Sequence, residues 1–254
     1  MEAKQKQVIS KKRVADHGEV LTARREVDAM LDLVKQETER IDSRFLEPAC
    51  GNGNFLIAIL ERKIAVIERK LIQMEKHLKK SEKKFEWKPA IYEPDSLQAL
   101  SSIYGIDILQ DSIEEAKQRL LSYFVESYQR IVAKEIPQEF LHIAKFILNK
   151  NILLGDAINY QEKVTIPGVP GLDQIIFTEW TRVGDDFKRR EYRFDSMHLD
   201  WKNSSNQTAT DDLFESTTPP THKAIHKADS GENVLQPVPV REYPFTHFSK
   251  LNQG

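Results

Sequence analysis

The amino-acid sequence predicts an α/β fold with a doubly wound sheet, in which short parallel strands alternate with crossover helices. Three short apolar segments that end at Glu47, Asp107 and Asp156 predict the strands, and helical patterns separate them. A turn with two glycines follows the first segment and opens the longest helical pattern. Ligands of such sheets bind beyond the carboxyl ends of the strands, so we expect these three acidic residues to lie along one ligand-binding edge.

The composition is that of a chain with a sizeable core and nearly balanced charge. Of the 254 residues, 40% are hydrophobic and 30% are charged, and the formal net charge is -2. This balance excludes a uniformly basic nucleic-acid-binding domain, so any DNA contact must come from a local patch or a partner. Because Cys50 is the single cysteine, no internal disulfide can form. No segment approaches the ~20 apolar residues of a membrane span, so we expect a cytoplasmic protein without membrane contact.

The most informative segment of the chain is residues 44–56, which read RFLEPACGNGNFL. This pattern predicts a strand, a tight turn and a helix N-terminus, where glycine lets backbone N–H groups approach a ligand. One interpretation is an ordinary strand-to-helix turn, and the other is the floor of a nucleotide-like cofactor pocket. A dinucleotide site requires a third glycine where Leu56 stands, and no Gly-Lys-Ser/Thr follows for a phosphate loop.

The string EPACGNGNFL resembles the first motif of S-adenosylmethionine-dependent DNA methyltransferases that modify the adenine amino group in restriction–modification systems. The resemblance covers about the first two thirds of the chain. It implies a Rossmann-like methyltransferase sheet, with S-adenosyl-L-methionine as the cofactor and DNA as the substrate. The residues to which it gives cofactor-binding roles are Thr22, Glu47, Ala49, Gly51, Gly53, Asn54, Phe55, Asp107, Ile108, Asp156 and Ala157.

The resemblance also implies individual roles for the residues at the strand ends. Asp107 would bond the ribose hydroxyls, with Ile108 packed on the adenine ring. Asp156 would accept a hydrogen bond from the adenine amino group. Glu47 would lie near the methionine amino group or hold the turn, and Thr22 belongs to a lead-in that lines the methionine end. We expect no metal, because the histidines lack the spacing of ligands.

The catalytic motif of this family is missing from the sequence. Adenine methylation in the family uses Asn/Asp-Pro-Pro-Tyr/Phe after the fourth strand, whose place here belongs to residues 173–177. The chain continues instead with Thr-Glu-Trp-Thr, in which Glu179 could accept a hydrogen bond and Trp180 could stack on a flipped base. Two functions stay open. The chain is an adenine-N6 methyltransferase or modification subunit, or it is an inactive methyltransferase-like partner of an active methyltransferase or nuclease.

Three further features of the sequence concern possible partners and the extent of the sheet. A helix over residues 55–84, with an apolar stripe at helical spacing, would span about 45 Å and project beyond a compact domain. We expect a protein partner, a second copy of the chain or an added helical layer to cover this stripe. Few strands are recognisable after Trp180, so the sequence allows a truncated sheet. The best local patch for DNA phosphates consists of Lys188, Arg189, Arg190 and Arg193.

We expect three regions. A flexible basic arm occupies residues 1–16, a methyltransferase-like domain occupies 17–198, and 199–254 form a polar linker with an extended C-terminal tail. The tail contains aromatic residues and is expected to dock onto the surface of this chain or of a partner.

Overall fold

The computed structural model of the chain describes residues 22–78, 87–159, 161–162, 174–194, 223–227 and 233–253. The predicted arm at 1–16 and much of the predicted polar linker lie outside these residues. The helices are α1 (Arg24–Leu33), α2 (Lys35–Thr38), α3 (Asn54–His77), α4 (Trp87–Ser101), α5 (Gln110–Val132), α6 (Gln138–Asn151) and a C-terminal 3₁₀ helix (Phe248–Gln253). The strands are β1 (Phe45–Glu47), β2 (Ile103–Asp107), β3 (Ile152–Asp156), β4 (Gln161–Glu162), β5 (Ile176–Val183), β6 (Asp186–Arg193), β7 (Lys223–Lys227), β8 (Asn233–Pro237), β9 (Arg241–Glu242) and β10 (Thr246–His247).

A parallel sheet of β1, β2 and β3, in that order, organises the first part of the chain. The helices α3 and α4 connect β1 to β2, and α5 and α6 connect β2 to β3. The short strand β4 adds to β3 in the antiparallel direction. Parallel strands joined by helical crossovers confirm the predicted α/β class.

Successive residues of β2 show what covers each face of this sheet, because side chains alternate along a strand. On one face, a Cβ added at Gly105 would lie 2.7 Å from Leu56 Cδ1 of α3. Towards the other face, the Tyr104 hydroxyl donates to the Thr178 carbonyl of β5 at 2.8 Å. A helix therefore lies against one face, and an antiparallel strand approaches the other.

Helix α3 is long, but its apolar stripe is the core of the domain. The stripe residues from Ile57 to Leu71 are at most 9% exposed, and α3 packs against α4 and α5. Of the predicted ways to cover the stripe, a protein partner, a second copy or an added helical layer, the structure shows the last, formed by helices of the same chain. Helical spacing shows that a stripe is buried, but it does not show which surface covers it. The helix ends at His77, and residues 79–86 of the predicted range lie outside the described residues.

Residues 87–101 form helix α4, although their two prolines suggest a connector. Pro89 occupies the first turn, where its missing N–H has no intrahelical partner to lose. Pro94 lies inside the helix and is buried together with Tyr92 and Leu97. Burial of these apolar side chains against α3 outweighs the poor helix propensity of Pro94.

The predicted fourth parallel strand is instead part of a separate antiparallel sheet. Strand β5 pairs with β6 along its whole length, and two residues, Gly184 and Asp185, connect them. So short a connection permits only antiparallel pairing. Gly184 has a φ of 62°, the left-handed conformation that hairpin turns require.

The C-terminal tail completes this second sheet. Strands β9 and β10 both pair with β6, and the Tyr243 N–H donates to the Arg189 carbonyl at 2.9 Å. The Phe248 ring packs edge-on against Phe140 of α6. The tail thus docks onto its own chain. No helix in the described part of the chain has the length and apolar character that crossing a membrane requires.

Candidate functional site

The glycine turn, residues 48–53, connects β1 to α3 at the carboxyl end of the parallel sheet. Gly51 and Gly53 have φ values of 51° and 85°, which residues with a Cβ rarely adopt. The Cys50 N–H donates to the Ile106 carbonyl of β2, and the Gly53 N–H donates to the Cys50 carbonyl, both at 2.9 Å. These bonds fold the chain tightly against the end of β2 before the helix begins.

Asp107 joins this turn to the end of the neighbouring strand. Its carboxylate accepts hydrogen bonds from the Gly51 N–H and the Leu109 N–H, each at 2.9 Å. A carboxylate offers about four acceptor positions, so these two bonds leave capacity for a ligand with paired hydroxyls. The side chain of Ile108, the next residue, is exposed and provides an apolar contact at the same edge.

The three acidic strand ends form a staggered row. Glu47 pairs with Gly105 and Asp107 pairs with Leu154, so each acidic residue lies two residues beyond the previous one along the sheet. Two residues correspond to about 6.6 Å of strand. The structure places all three acidic residues at the carboxyl edge of the sheet, as expected. Each one is offset from the previous one by two residues along the strand direction.

Glu47 and Asp156 also stabilise the backbone around them. Burial raises the pKa of Glu47 above its ordinary value, while a hydrogen bond from the Ala49 N–H lowers it. The Asp156 carboxylate accepts from the Ile158 N–H at 2.9 Å and from Asn159. Asp156 therefore caps the turn after β3, next to the half-buried Ala157.

Helix α5 clamps the glycine turn from the side. Arg119 Nη1 donates to the Asn52 carbonyl at 2.6 Å and to Asn54 Oδ1 at 2.9 Å. Glu115 Oε1 accepts from Asn52 Nδ2 at 2.9 Å, and burial lowers the pKa of Arg119. The sequence prediction missed both α5 residues. Glu115 and Arg119 are four residues apart, so they lie on one face of the helix that follows Asp107. This spacing could have indicated that they support the glycine turn.

The structure also shows the positions of Thr22, Gly53 and Phe55, three residues of the predicted cofactor site. Asn54 Nδ2 donates to the Thr22 carbonyl at 2.9 Å, so the lead-in segment does reach the start of α3. A Cβ added at Gly53 would lie 3.1 Å from Ala116 Cβ. Gly53 is thus required by close packing against α5 as well as by its backbone conformation. Phe55, at the first turn of α3, is half-buried and packs against the core.

Cys50 has a packing role in this turn. Its side chain is buried, and a Cβ at Gly105 would lie 3.0 Å from its Sγ. Burial, together with the negative charges of Asp107 and Glu47, raises the pKa of the Cys50 thiol well above its ordinary value. A thiol held in its neutral form is a poor nucleophile.

The residues present fit an S-adenosylmethionine-type ligand in three respects. Asp107 offers carboxylate oxygens to a diol, and Ile108 offers an exposed apolar side chain to a ring. The N-cap of α3 is glycine, so this position contributes no side chain that could accept from the first-turn N–H groups. A helix N-terminus of this kind favours a carboxylate or other anion.

Trp180 does not occupy a position from which it could stack on a base. Its side chain is 3% exposed, and its indole N–H donates to Asn151 Oδ1 at 3.0 Å. Its ring packs edge-on against Phe146 of α6. The structure gives Trp180 a core position, in conflict with the expected stacking role. The sequence could not reveal this, because alternation along β5 decides which residues face inwards.

Glu179 is bonded to residues outside the glycine turn. Its carboxylate accepts from Arg44 at 2.8 Å and from the Tyr192 hydroxyl at 3.3 Å. Arg44 precedes β1, whereas the glycine turn follows β1, so the two sites lie at opposite ends of the strand. Glu179 borders an apolar cavity of about 150 Å³ lined in part by Phe45 and Leu46. Glu179 is thus bonded to Arg44 and Tyr192 at the amino end of β1, whereas the glycine turn follows its carboxyl end.

The predicted DNA patch on β6 is divided between two faces of the strand. Lys188 and Arg190 share one face and both pair with Glu242 of β9. Arg189 lies on the opposite face, is 5% exposed, and contacts the rings of two aromatic residues. Arg193 is on the same face as Arg189. Consecutive residues of a strand point in opposite directions, so this run of cations is not one surface patch.

Comparisons with models of protein families, with curated proteins and with solved structures found no match to this chain.

Proposed function

We propose that the chain binds S-adenosyl-L-methionine at the glycine turn and acts as a DNA adenine-N6 methyltransferase or modification subunit of a restriction–modification system. The observation that carries this proposal is the hydrogen bond between the Gly51 N–H and the Asp107 carboxylate. It joins a turn with two left-handed glycines to an acidic strand end, at the edge where α/β sheets bind ligands. The motif EPACGNGNFL supports the same ligand.

In this function, each part of the turn would contact a different part of the cofactor. Asp107 would hold the ribose hydroxyls, Ile108 would contact the adenine ring, and the N-terminus of α3 would face the methionine carboxylate. The bound cofactor supplies an electrophilic methyl group, whose transfer by in-line displacement depends on positioning and needs no covalent enzyme intermediate. The raised pKa of the buried Cys50 thiol is compatible with this mechanism, because direct transfer requires no cysteine nucleophile.

A second candidate is a cofactor-binding subunit whose catalytic residues come from a partner. The burial of Trp180 and the position of Glu179 favour it, because neither residue presents a base-binding group beside the glycine turn. This candidate retains the same cofactor site. It differs in predicting no methyl transfer by the isolated chain.

Titration calorimetry with S-adenosylmethionine tests the cofactor site. We expect the parent chain to bind and Asp107→Ala to lose about tenfold to a hundredfold in affinity, because the hydrogen bonds of a charged acceptor are lost. Asp107→Asn, which retains one acceptor, should lose less. The matched control is Asp185→Ala, which removes an exposed carboxylate in the β5–β6 turn. Equal affinity of Asp107→Ala and the parent would refute the pocket assignment.

Methyl transfer to adenine-containing DNA separates the two candidates. The assay compares the isolated chain with the chain supplemented by the products of neighbouring genes. Activity of the isolated chain supports the methyltransferase, whereas activity only in the mixture supports the subunit with a catalytic partner. Loss of the isolated activity in Glu179→Ala, with cofactor affinity unchanged, would exclude the partner candidate.

A further inference from the structure

The apolar cavity that Glu179 borders, called the β1 cavity from here on, lies between the parallel sheet and the β5–β6 hairpin. Its apolar wall receives side chains from both sides and consists of Phe45, Leu46, Tyr104, Phe177 and Phe194. The described residues that line it include none of the glycine turn. The volume is about 150 Å³, which matches the roughly 150 Å³ of an apolar cavity that holds one benzene ring. The β1 cavity therefore has the size for a single six-membered ring.

The aromatic residues of the wall favour a ring as the ligand. The Phe177 ring packs edge-on against Tyr104, with centroids 5.6 Å apart, and against Phe194, with centroids 4.9 Å apart. In such pairs the positive edge of one ring meets the negative face of another, and a bound ring can make the same contact. Leu46 also lines the cavity and is 44% exposed, so a ligand can reach this wall from solvent.

The polar residues of the lining add one carboxylate to this apolar wall. They are Arg44, Thr178, Glu179 and Tyr192. Glu179 Oε1 accepts from Arg44 at 2.8 Å. Its Oε2 accepts from the Tyr192 hydroxyl at 3.3 Å and from Arg190 at 3.5 Å. Strong hydrogen bonds to a carboxylate measure about 2.5–2.9 Å, so both bonds of Oε2 are long, and this atom retains the capacity to accept a shorter bond from a ligand.

The charges of the lining favour a ligand without a net charge. Arg44 is the one cation and Glu179 the one anion among the described lining residues, and the two are paired with each other. A charged ligand would leave water for an apolar wall without a free countercharge, which is costly. A neutral ring that carries a hydroxyl or amino group loses less on entry and can donate to the carboxylate.

We propose that the β1 cavity binds a small, neutral, monocyclic aromatic compound that carries a hydroxyl or amino donor. The ring lies against Phe177 and its aromatic neighbours, and the donor bonds to Glu179 Oε2. The proposal goes beyond the function proposed above and does not depend on it, because the β1 cavity and the glycine turn share no residue. It gives Glu179 a role in binding a ligand in place of the expected role in catalysis.

Titration calorimetry with phenol tests the site, and benzene is the matched ligand without a donor. We expect phenol to bind about tenfold more tightly than benzene, because it adds a hydrogen bond to a charged acceptor. Leu46→Trp, which puts a bulky ring at the exposed side of the cavity, should weaken the binding of both ligands about tenfold or more. Leu33→Trp, at an exposed leucine of α1, is the matched control and should change neither affinity. Asp107→Ala should also change neither, which separates this site from the glycine turn.

Glu179→Gln distinguishes the contact with the donor from a general loss of packing. It should reduce the preference for phenol over benzene, because the acceptor loses its charge, and leave the affinity for benzene at the parent value. Equal affinities of the parent for phenol and benzene, or an unchanged preference in Glu179→Gln, would overturn the contact with Glu179. If Glu179→Gln does not fold, the comparison of phenol with benzene in the parent decides this point. Absence of binding to the parent, binding that Leu46→Trp leaves unchanged, or binding that Asp107→Ala abolishes would overturn the assignment of the ligand to the β1 cavity.

Discussion

Lys63 is a single residue on which the start of the parallel sheet depends. Its side chain is 0% exposed, and its ammonium donates to the Ile41 carbonyl, the Ser43 carbonyl and Ser102 Oγ. These groups precede β1 and β2, so one lysine of α3 holds both entry segments. Three oxygen acceptors surround this nitrogen, and their pairing with it is what permits a lysine in the core.

Burial lowers the pKa of Lys63 from 10.5 to about 7, and this shift predicts the pH dependence of stability. Between these values the unfolded chain holds a proton that the folded chain lacks, so the free energy of unfolding should rise with pH. We expect the urea midpoint to be higher at about pH 9.5 than at about pH 7. Lys63→Met lacks this proton and should show a flatter profile at lower overall stability. Parallel profiles for the two proteins would contradict the assignment to Lys63.

At the scale of secondary-structure elements, α5 positions the glycine turn by means of Arg119. We expect Arg119→Gln to weaken S-adenosylmethionine binding about tenfold, or about 1.4 kcal/mol, because the turn loses the donor that fixes Asn52 and Asn54. Arg130→Gln is the matched control, since Arg130 lies on the same helix and forms a surface pair with Glu68.

Stability and cofactor affinity, measured together, distinguish a positioning role of Arg119 from a purely structural one. Thermal melting should show a small loss of stability in Arg119→Gln, and Arg119→Lys should restore part of the affinity, because it retains one charged donor. If both substitutions lower stability while the affinity of the folded protein stays at the parent value, Arg119 does not position the cofactor site.

At the scale of the whole molecule, Asp95 joins the helices to the second sheet. Its side chain is 5% exposed and accepts from Lys70 of α3 at 2.6 Å and from Arg182 of β5 at 2.7 Å. Asp95 itself belongs to α4, so three elements meet at one carboxylate. We expect Asp95→Asn to lower the free energy of unfolding by about 1–3 kcal/mol, because Arg182 loses its charged partner while it stays mostly buried.

Chemical denaturation compares this variant with Glu68→Gln, which breaks an exposed pair with Arg130 and should cost about 1 kcal/mol or less. The contrast follows from burial, since the exposed pair is already screened by water. A loss no larger in Asp95→Asn than in Glu68→Gln would show that the carboxylate does not join these elements energetically.

The features that the sequence alone determined are those encoded within a few neighbouring residues. Alternation of apolar segments with helical patterns identified β1, β2 and β3, and their parallel pairing confirms the α/β class. The two glycines predicted a turn with unusual backbone, and both adopt left-handed conformations. Asp107 was expected at the carboxyl end of its strand and is found there, against the turn.

Only the tertiary structure decided what covers each surface. The stripe of α3 became the core because α4 and α5 pack on it, and Trp180 is buried because β5 turns that side chain inwards. Side chains of β6 alternate between the two faces of its sheet, and this alternation separates the cations. The sequence can predict such a strand, but it does not show which face is buried. Local spacing determines which residues share a face, whereas the partner of that face depends on contacts between distant segments.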